Sequence, residues 1–140
     1  MDHIESKRGQ RGVMLLEALI GILIFSIGIL AMVAMQGLAI GYASDAKYRT
    51  DASFLANELI GQIWLDRPNL ANYAYPGGSS PALTNWVAKV NNYLPGAGAN
   101  APTVAVNAAT GEVDITIRWQ PPSSTSGAHN YRTVARVSNP

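Results

Sequence analysis

Cysteine is absent from all 140 residues. Disulfides and thiolate metal sites are therefore excluded, and any domain outside the reducing cytoplasm is held by packing alone. Charge is scarce: 14% of residues carry it, with a net charge of +1. Lys89, Arg118, Arg132 and Arg136 are scattered and do not interleave with aromatics, which argues against direct binding to nucleic acid. Histidine occurs twice, as His3 in the N-terminal stretch and His129 near the C-terminus. Neither has an ordered acidic partner in sequence, so no metal site is expected. Glu112 and Asp114 flank Val113 and read as a solvated face. Without a constellation of nucleophile, base and acid, no catalytic residue, cofactor or enzymatic activity is assigned. Proline is missing before Pro68, which leaves nothing to stop a helix over the first half of the chain.

What is present is a long apolar run, Val13–Gly41, directly after Lys7-Arg8-Gly9-Gln10-Arg11-Gly12. Its 29 positions contain only three polar side chains, Glu17, Ser26 and Gln36. As a helix the run spans roughly 43 Å, against about 30 Å of hydrocarbon. Cations lie on its N-terminal side, while the other flank mixes Asp45, Lys47, Arg49 and Asp51. The positive-inside rule then places residues 1–12 in the cytoplasm and Tyr42 onward outside. A cleaved secretory signal peptide fits poorly, because its apolar region is about 7–15 residues and lacks an acid near its start. A plain signal anchor, with Glu17 tolerated near the headgroups, is the simpler alternative. A charged group at a bilayer centre costs about 2.5–3.5 kcal/mol on insertion scales. Glu17 therefore calls for a cation inside lipid or inside a packed bundle.

Gly12-Val13-Met14-Leu15-Leu16-Glu17 resembles the processing site of the type IV pilin superfamily. In that family a short basic leader ends in Gly, a prepilin peptidase/methylase cuts after it, and the fifth residue of the mature chain is Glu. The resemblance implies cleavage between Gly12 and Val13, N-methylation at Val13, and an assembly role for Glu17. Val13 departs from the usual Phe and Met14 from the usual Thr. The freed α-amine supplies the cation that Glu17 lacks, since its ordinary pKa of about 7.7–8.0 keeps it mostly protonated at neutral pH. In pilins the pair forms between Glu and the N-terminus of the same or a neighbouring chain.

Residues 13–67 read as one helix that ends near Asp66, because the residue before Pro68 is biased out of the α region. Its first part, 13–41, is apolar all round and reads as a transmembrane segment or filament core. Its second part, 42–67, is amphipathic: Tyr48, Ala52, Leu55, Ala56, Leu59 and Ile63 share a face. Gly21, Gly28, Gly37 and Gly41 each cost about 0.8–1.0 kcal/mol relative to Ala in a helix. The last two form a small-xxx-small pattern that permits close helix approach.

Residues 68–140 form the extracytoplasmic globular domain, with Pro68–Thr103 mostly loop. Inside it, Pro81–Leu94 is a short amphipathic helix with Ser80 as N-cap and Leu83, Trp86, Val87, Val90 and Leu94 on one face. Glu112–Gln120 alternates as a strand, with Val113, Ile115, Ile117 and Trp119 pointing one way. Thr103–Asn107 pairs with it across Ala108-Ala109-Thr110-Gly111, and Tyr131–Ser138 is the third strand. Pro121–Asn130 reads as an exposed, mobile loop. The expected class is α+β: a three-stranded antiparallel meander on Tyr48–Ile63, which is also the pilin arrangement.

Within the superfamily, the run Leu19–Met32 with Ser26-Ile27-Gly28, and Gln36 after it, resembles PilV-type minor pilins, as do Leu94-Pro95-Gly96 and Asp114–Gln120 more loosely. The resemblance implies a low-copy subunit that affects pilus assembly, and through it twitching, adhesion or DNA uptake. Its partners would be other major and minor pilins, the inner-membrane pilus assembly machinery and membrane lipid. It would reside in the inner membrane as a single-pass protein with a periplasmic C-terminal domain, and then in the pilus. A minor pseudopilin of type II secretion is the nearest rival. A single-pass membrane protein with an outer binding domain is the rival from a different class.

Overall fold

A computed structural model describes residues 9–122, 124 and 127–137, with side chains described from Gly12 onward. The order of elements is helix α1 (Gly9–Leu65), a 3-10 helix (Arg67–Tyr73), helix α2 (Pro81–Tyr93), and strands β1 (Thr103–Asn107), β2 (Glu112–Trp119) and β3 (His129–Arg136). One long helix and a small antiparallel sheet make the protein α+β. The chain divides into two compact units, residues 1–41 and 42–140.

In the first unit every described residue from Gly12 to Gly41 is exposed and helical. The helix begins at Gly9, four residues before the predicted start, and runs through the Gly12–Val13 bond without interruption. It is long and apolar enough to cross a membrane. The Ser26 hydroxyl donates to the Ile22 carbonyl at 2.7 Å, which satisfies one of the few polar side chains within the helix itself. A Cβ added at Gly21, Gly28, Gly37 or Gly41 meets nothing within 4 Å. No packing within this chain requires those glycines.

The second unit holds the core. From α1 it takes Ala52, Leu55, Ala56, Leu59 and Ile63, all at most 1% exposed, with Tyr48 half-buried at the margin. This is the face read from the three- and four-residue spacing. The inward side of β2 contributes Val113, Ile115, Ile117 and Trp119, and α2 contributes Leu83, Trp86 and Val90. The Trp86 indole N–H donates to the Leu55 carbonyl at 2.8 Å. Lys89 Nζ sits 2.7 Å from Glu58 Oε1, a second tie between α2 and α1. The sheet order is β1-β2-β3, both pairs antiparallel, with Val104 opposite Ile115 and Ile115 opposite Thr133. The Asn107 side chain accepts from the backbone N–H groups of Ala109 and Thr110, closing the predicted turn as an Asx turn.

Several boundaries differ from the sequence reading. Helix α1 stops at Leu65, so Asp66 and Arg67 are not part of it. Pro68 forbids continuation, and the Asp66 side chain engages the next turn: Asn69 Nδ2 donates to Oδ1 at 2.7 Å and Tyr73 OH to Oδ2 at 3.1 Å. The segment after it is a 3-10 helix with Leu70 and Tyr73 buried, not a loop. Ser80 occupies the N-cap position of α2, but its side chain makes no capping bond, and the residue is buried. Strand β2 ends at Trp119, because the Gln120 N–H turns away to the Pro95 carbonyl at 2.8 Å. Strand β3 starts two residues earlier than read, at His129, so His129 and Asn130 belong to the sheet. Pro121 is buried rather than exposed. Ser138, the predicted end of β3, lies outside the described residues.

Close contacts constrain Gly96 and Gly78. Gly96 has φ +67, and its ideal Cβ would lie 3.1–3.3 Å from Gln120 atoms, where the chain returns past Pro95. Gly78 has ordinary φ, but a Cβ there would collide with the carbonyl oxygens of Asn72 and Ala74. Its own N–H donates to the Ala74 carbonyl at 2.6 Å.

Candidate processing and assembly site

Val13 and Glu17 lie in the first unit, four residues apart on α1. Residues four apart are one turn apart on the same face, about 5–6 Å between Cβ atoms. Val13, Leu16, Glu17 and Ile20 line one shallow depression, so the acid sits among branched aliphatic side chains. All four are exposed, Val13 by 66% and Ile20 by 48%. Among the described residues no ion pair reaches Glu17. Gly12 precedes Val13 within the same turn. Lys7 and Arg8 lie outside the described residues, as does the side chain of Arg11.

The arrangement has a definite chemical capacity. A peptide bond broken after Gly12 would leave an ammonium group at the head of the turn that carries Glu17. The first-turn N–H groups freed there favour an anion as well. Both contributions act on the same carboxylate, and the surrounding side chains exclude water once covered by lipid or by another helix.

Among the described side chains, the other charged ones lie in the second unit. Arg132 grips Asp114 across the outer face of the sheet, Nε at 3.0 Å and Nη2 at 2.6 Å from its oxygens. That hydrogen bonding holds the Asp114 carboxyl below its ordinary value and raises the Arg132 guanidinium above its own. His129, read from sequence as a loop residue without an acidic partner, has Asp45 beside it: Nδ1 lies 2.7 Å from Oδ1. The approach is close, but it forms no hydrogen bond to that oxygen among the described residues. It is a charge contact whenever the imidazole carries its second proton. Ser124 Oγ lies 3.4 Å from His129 Nε2. The order Asp45–His129–Ser124 has the connectivity of an acid–base relay. The serine hydroxyl also lies 3.1 Å from the Gly127 carbonyl, to which it can donate.

Sequence spacing did not reveal the Asp45–His129 contact, because it joins α1 to the start of β3 across most of the chain. Arg67 over the Trp64 ring, 4.3 Å from guanidinium carbon to centroid, was also missed. Its three-residue spacing was a visible signal. No group of three or more His, Cys, Asp or Glu capable of holding a metal occurs among the described residues.

Comparison with family models, with curated proteins and with solved structures finds no match to this chain.

Proposed function

We propose that this chain is a minor pilin of the type IV pilin superfamily, cut after Gly12 by a prepilin peptidase and assembled through Glu17. The observation that carries the reading is the placement of Glu17 one helical turn after Val13, in an apolar helix preceded by a basic stretch ending in Gly12. The α+β architecture, with an amphipathic half-helix buried against a three-stranded sheet, supports it. In this reading residues 1–12 are the cytoplasmic leader, residues 13–41 hold the subunit in the inner membrane, and residues 42–140 stand in the periplasm. The mature subunit then joins a pilus with other pilins.

Mass spectrometry of the N-terminus of the mature protein tests the processing step. A chain starting at Val13, with or without a methyl group, supports it. A chain starting at Met1 and retained in the membrane would instead describe a single-pass protein with an outer domain. Assembly is tested by Glu17→Val. Removing one partner of a buried ion pair costs about 3–5 kcal/mol, enough to keep the variant out of filaments while it still inserts in the membrane. Incorporation at the wild-type level would refute the pairing. Loss of secreted enzymes, with surface filaments intact, on deletion of the gene would move the assignment to a type II secretion pseudopilin.

A further inference from the structure

A second surface carries chemistry that processing and Glu17 do not use. Where α1 ends, the chain leaves an open hollow of about 830 Å³ between Trp64, Leu65, Arg67, Leu70, the turn residue Ala109 and Val137. Leu65 is 91% exposed at its rim and Trp64 39% exposed. A leucine so exposed, next to a half-open indole, is apolar surface without cover among the described residues. The Arg67 guanidinium carbon lies over the Trp64 ring, 4.3 Å from its centroid. A cation over an indole face is attracted by the ring, which restricts the side chain without using its N–H donors.

The charge balance decides what the hollow would take. Asp51, Glu58, Asp114 and Glu112 each face a lysine or arginine of their own. The nearest acid in sequence, Asp66, is engaged by Asn69 and Tyr73. Among the described residues no carboxylate pairs with Arg67. The nearby turn N–H groups of Ala109 and Thr110 are already taken by Asn107, so they do not compete for an anion. The site therefore combines a guanidinium that has no ion-pair partner among the described residues with aliphatic walls.

We propose that this hollow binds a peptide segment of another protein that carries one carboxylate side chain between apolar residues. The carboxylate takes the fork of Arg67, and the flanking side chains cover Leu65, Leu70 and Val137. The proposal is independent of the pilin reading, because none of these residues belongs to the processing or assembly site.

The test uses the full chain in detergent micelles and two acetylated, amidated tripeptides, Leu-Glu-Leu and Leu-Gln-Leu. Trp86 and Trp119 are each 1% exposed, so acrylamide quenching of tryptophan fluorescence reports Trp64. The Glu peptide should protect Trp64, and the Gln peptide should need about tenfold more for the same protection, the difference expected of a charge-assisted bond. Arg67→Gln should remove the difference between the two peptides. Equal protection by both peptides in the wild-type chain overturns the proposal, as does no protection at millimolar peptide. So does discrimination that survives in Arg67→Gln. Protection that grows with protein concentration alone would assign the hollow to a second copy and overturn it too.

Discussion

Trp86 and Trp119 form a natural experiment on what a buried indole N–H contributes. Both rings are 1% exposed and both pack in the same core. Trp86 Nε1 donates to the Leu55 carbonyl at 2.8 Å, whereas Trp119 Nε1 is buried with no acceptor among the described residues. Replacing either by Phe removes the same ring atoms and the same apolar area, so the cavity cost is similar. The polar part differs in sign. Trp86→Phe loses a hydrogen bond of about 1 kcal/mol net. Trp119→Phe removes a donor whose unpaired burial costs about 1–3 kcal/mol, and so recovers part of the cavity cost. Trp86→Phe should therefore be more destabilising than Trp119→Phe by roughly 2–4 kcal/mol. Urea unfolding of each variant in micelles, followed by circular dichroism, gives the two midpoints and slopes. Equal losses, or a greater loss for Trp119→Phe, would refute the argument that the indole hydrogen bond ties α2 to α1.

Two further outcomes follow from particular contacts. The Asp114 carboxyl is held below its ordinary value of 3.8 by Arg132, so its contribution is complete above that pH in the wild-type protein. It is lost as pH falls below 3.8 through the lowered native value, and Asp114→Asn should flatten that part of the stability–pH curve; an unchanged curve would rule the contact out. Gly78→Ala should destabilise the second unit by more than the few tenths of a kcal/mol typical of surface changes, because the added methyl meets two carbonyl oxygens. A melting temperature equal to the wild type would show that the Asn72–Ala74 segment yields freely.

The strands and the buried face of α1 were legible because each follows a single period. Val113, Ile115, Ile117 and Trp119 alternate, and all four are buried. Ala52, Leu55, Ala56, Leu59 and Ile63 repeat at helical spacing, and all are buried as well. The 3-10 helix was not legible, since Leu70 and Tyr73 share no long period and Pro68 reads equally as a turn. The early start of β3 was hidden because His129 and Asn130 are polar and extend a loop-like composition. At the candidate site, Glu17 stood out as an acid in an apolar run and Val13 was named from the resemblance to a prepilin processing site; the structure places both on α1, one turn apart. Arg67 on Trp64 lay within reach of a three-residue rule. The hollow beside it was not, because its walls come from three separate stretches of chain, 64–71, 108–111 and Val137.

Strand β3 reaches back to α1 through Tyr131 OH, which accepts from Ser53 Oγ at 3.3 Å across 78 positions. Its register on β2 closes the sheet at Thr133 and Ala135. Contacts of such long sequence separation form late, after the entropy of a large loop has been lost. While the ribosome is still adding residues before Gly127, α1 and α2 are already there to cover the inner face of β2, but its edge toward β3 is an unpaired row of N–H and C=O groups. Synthesis of this protein therefore passes through a window of exposure, and shortening the time between synthesis of β2 and β3 should reduce aggregation without altering the folded product.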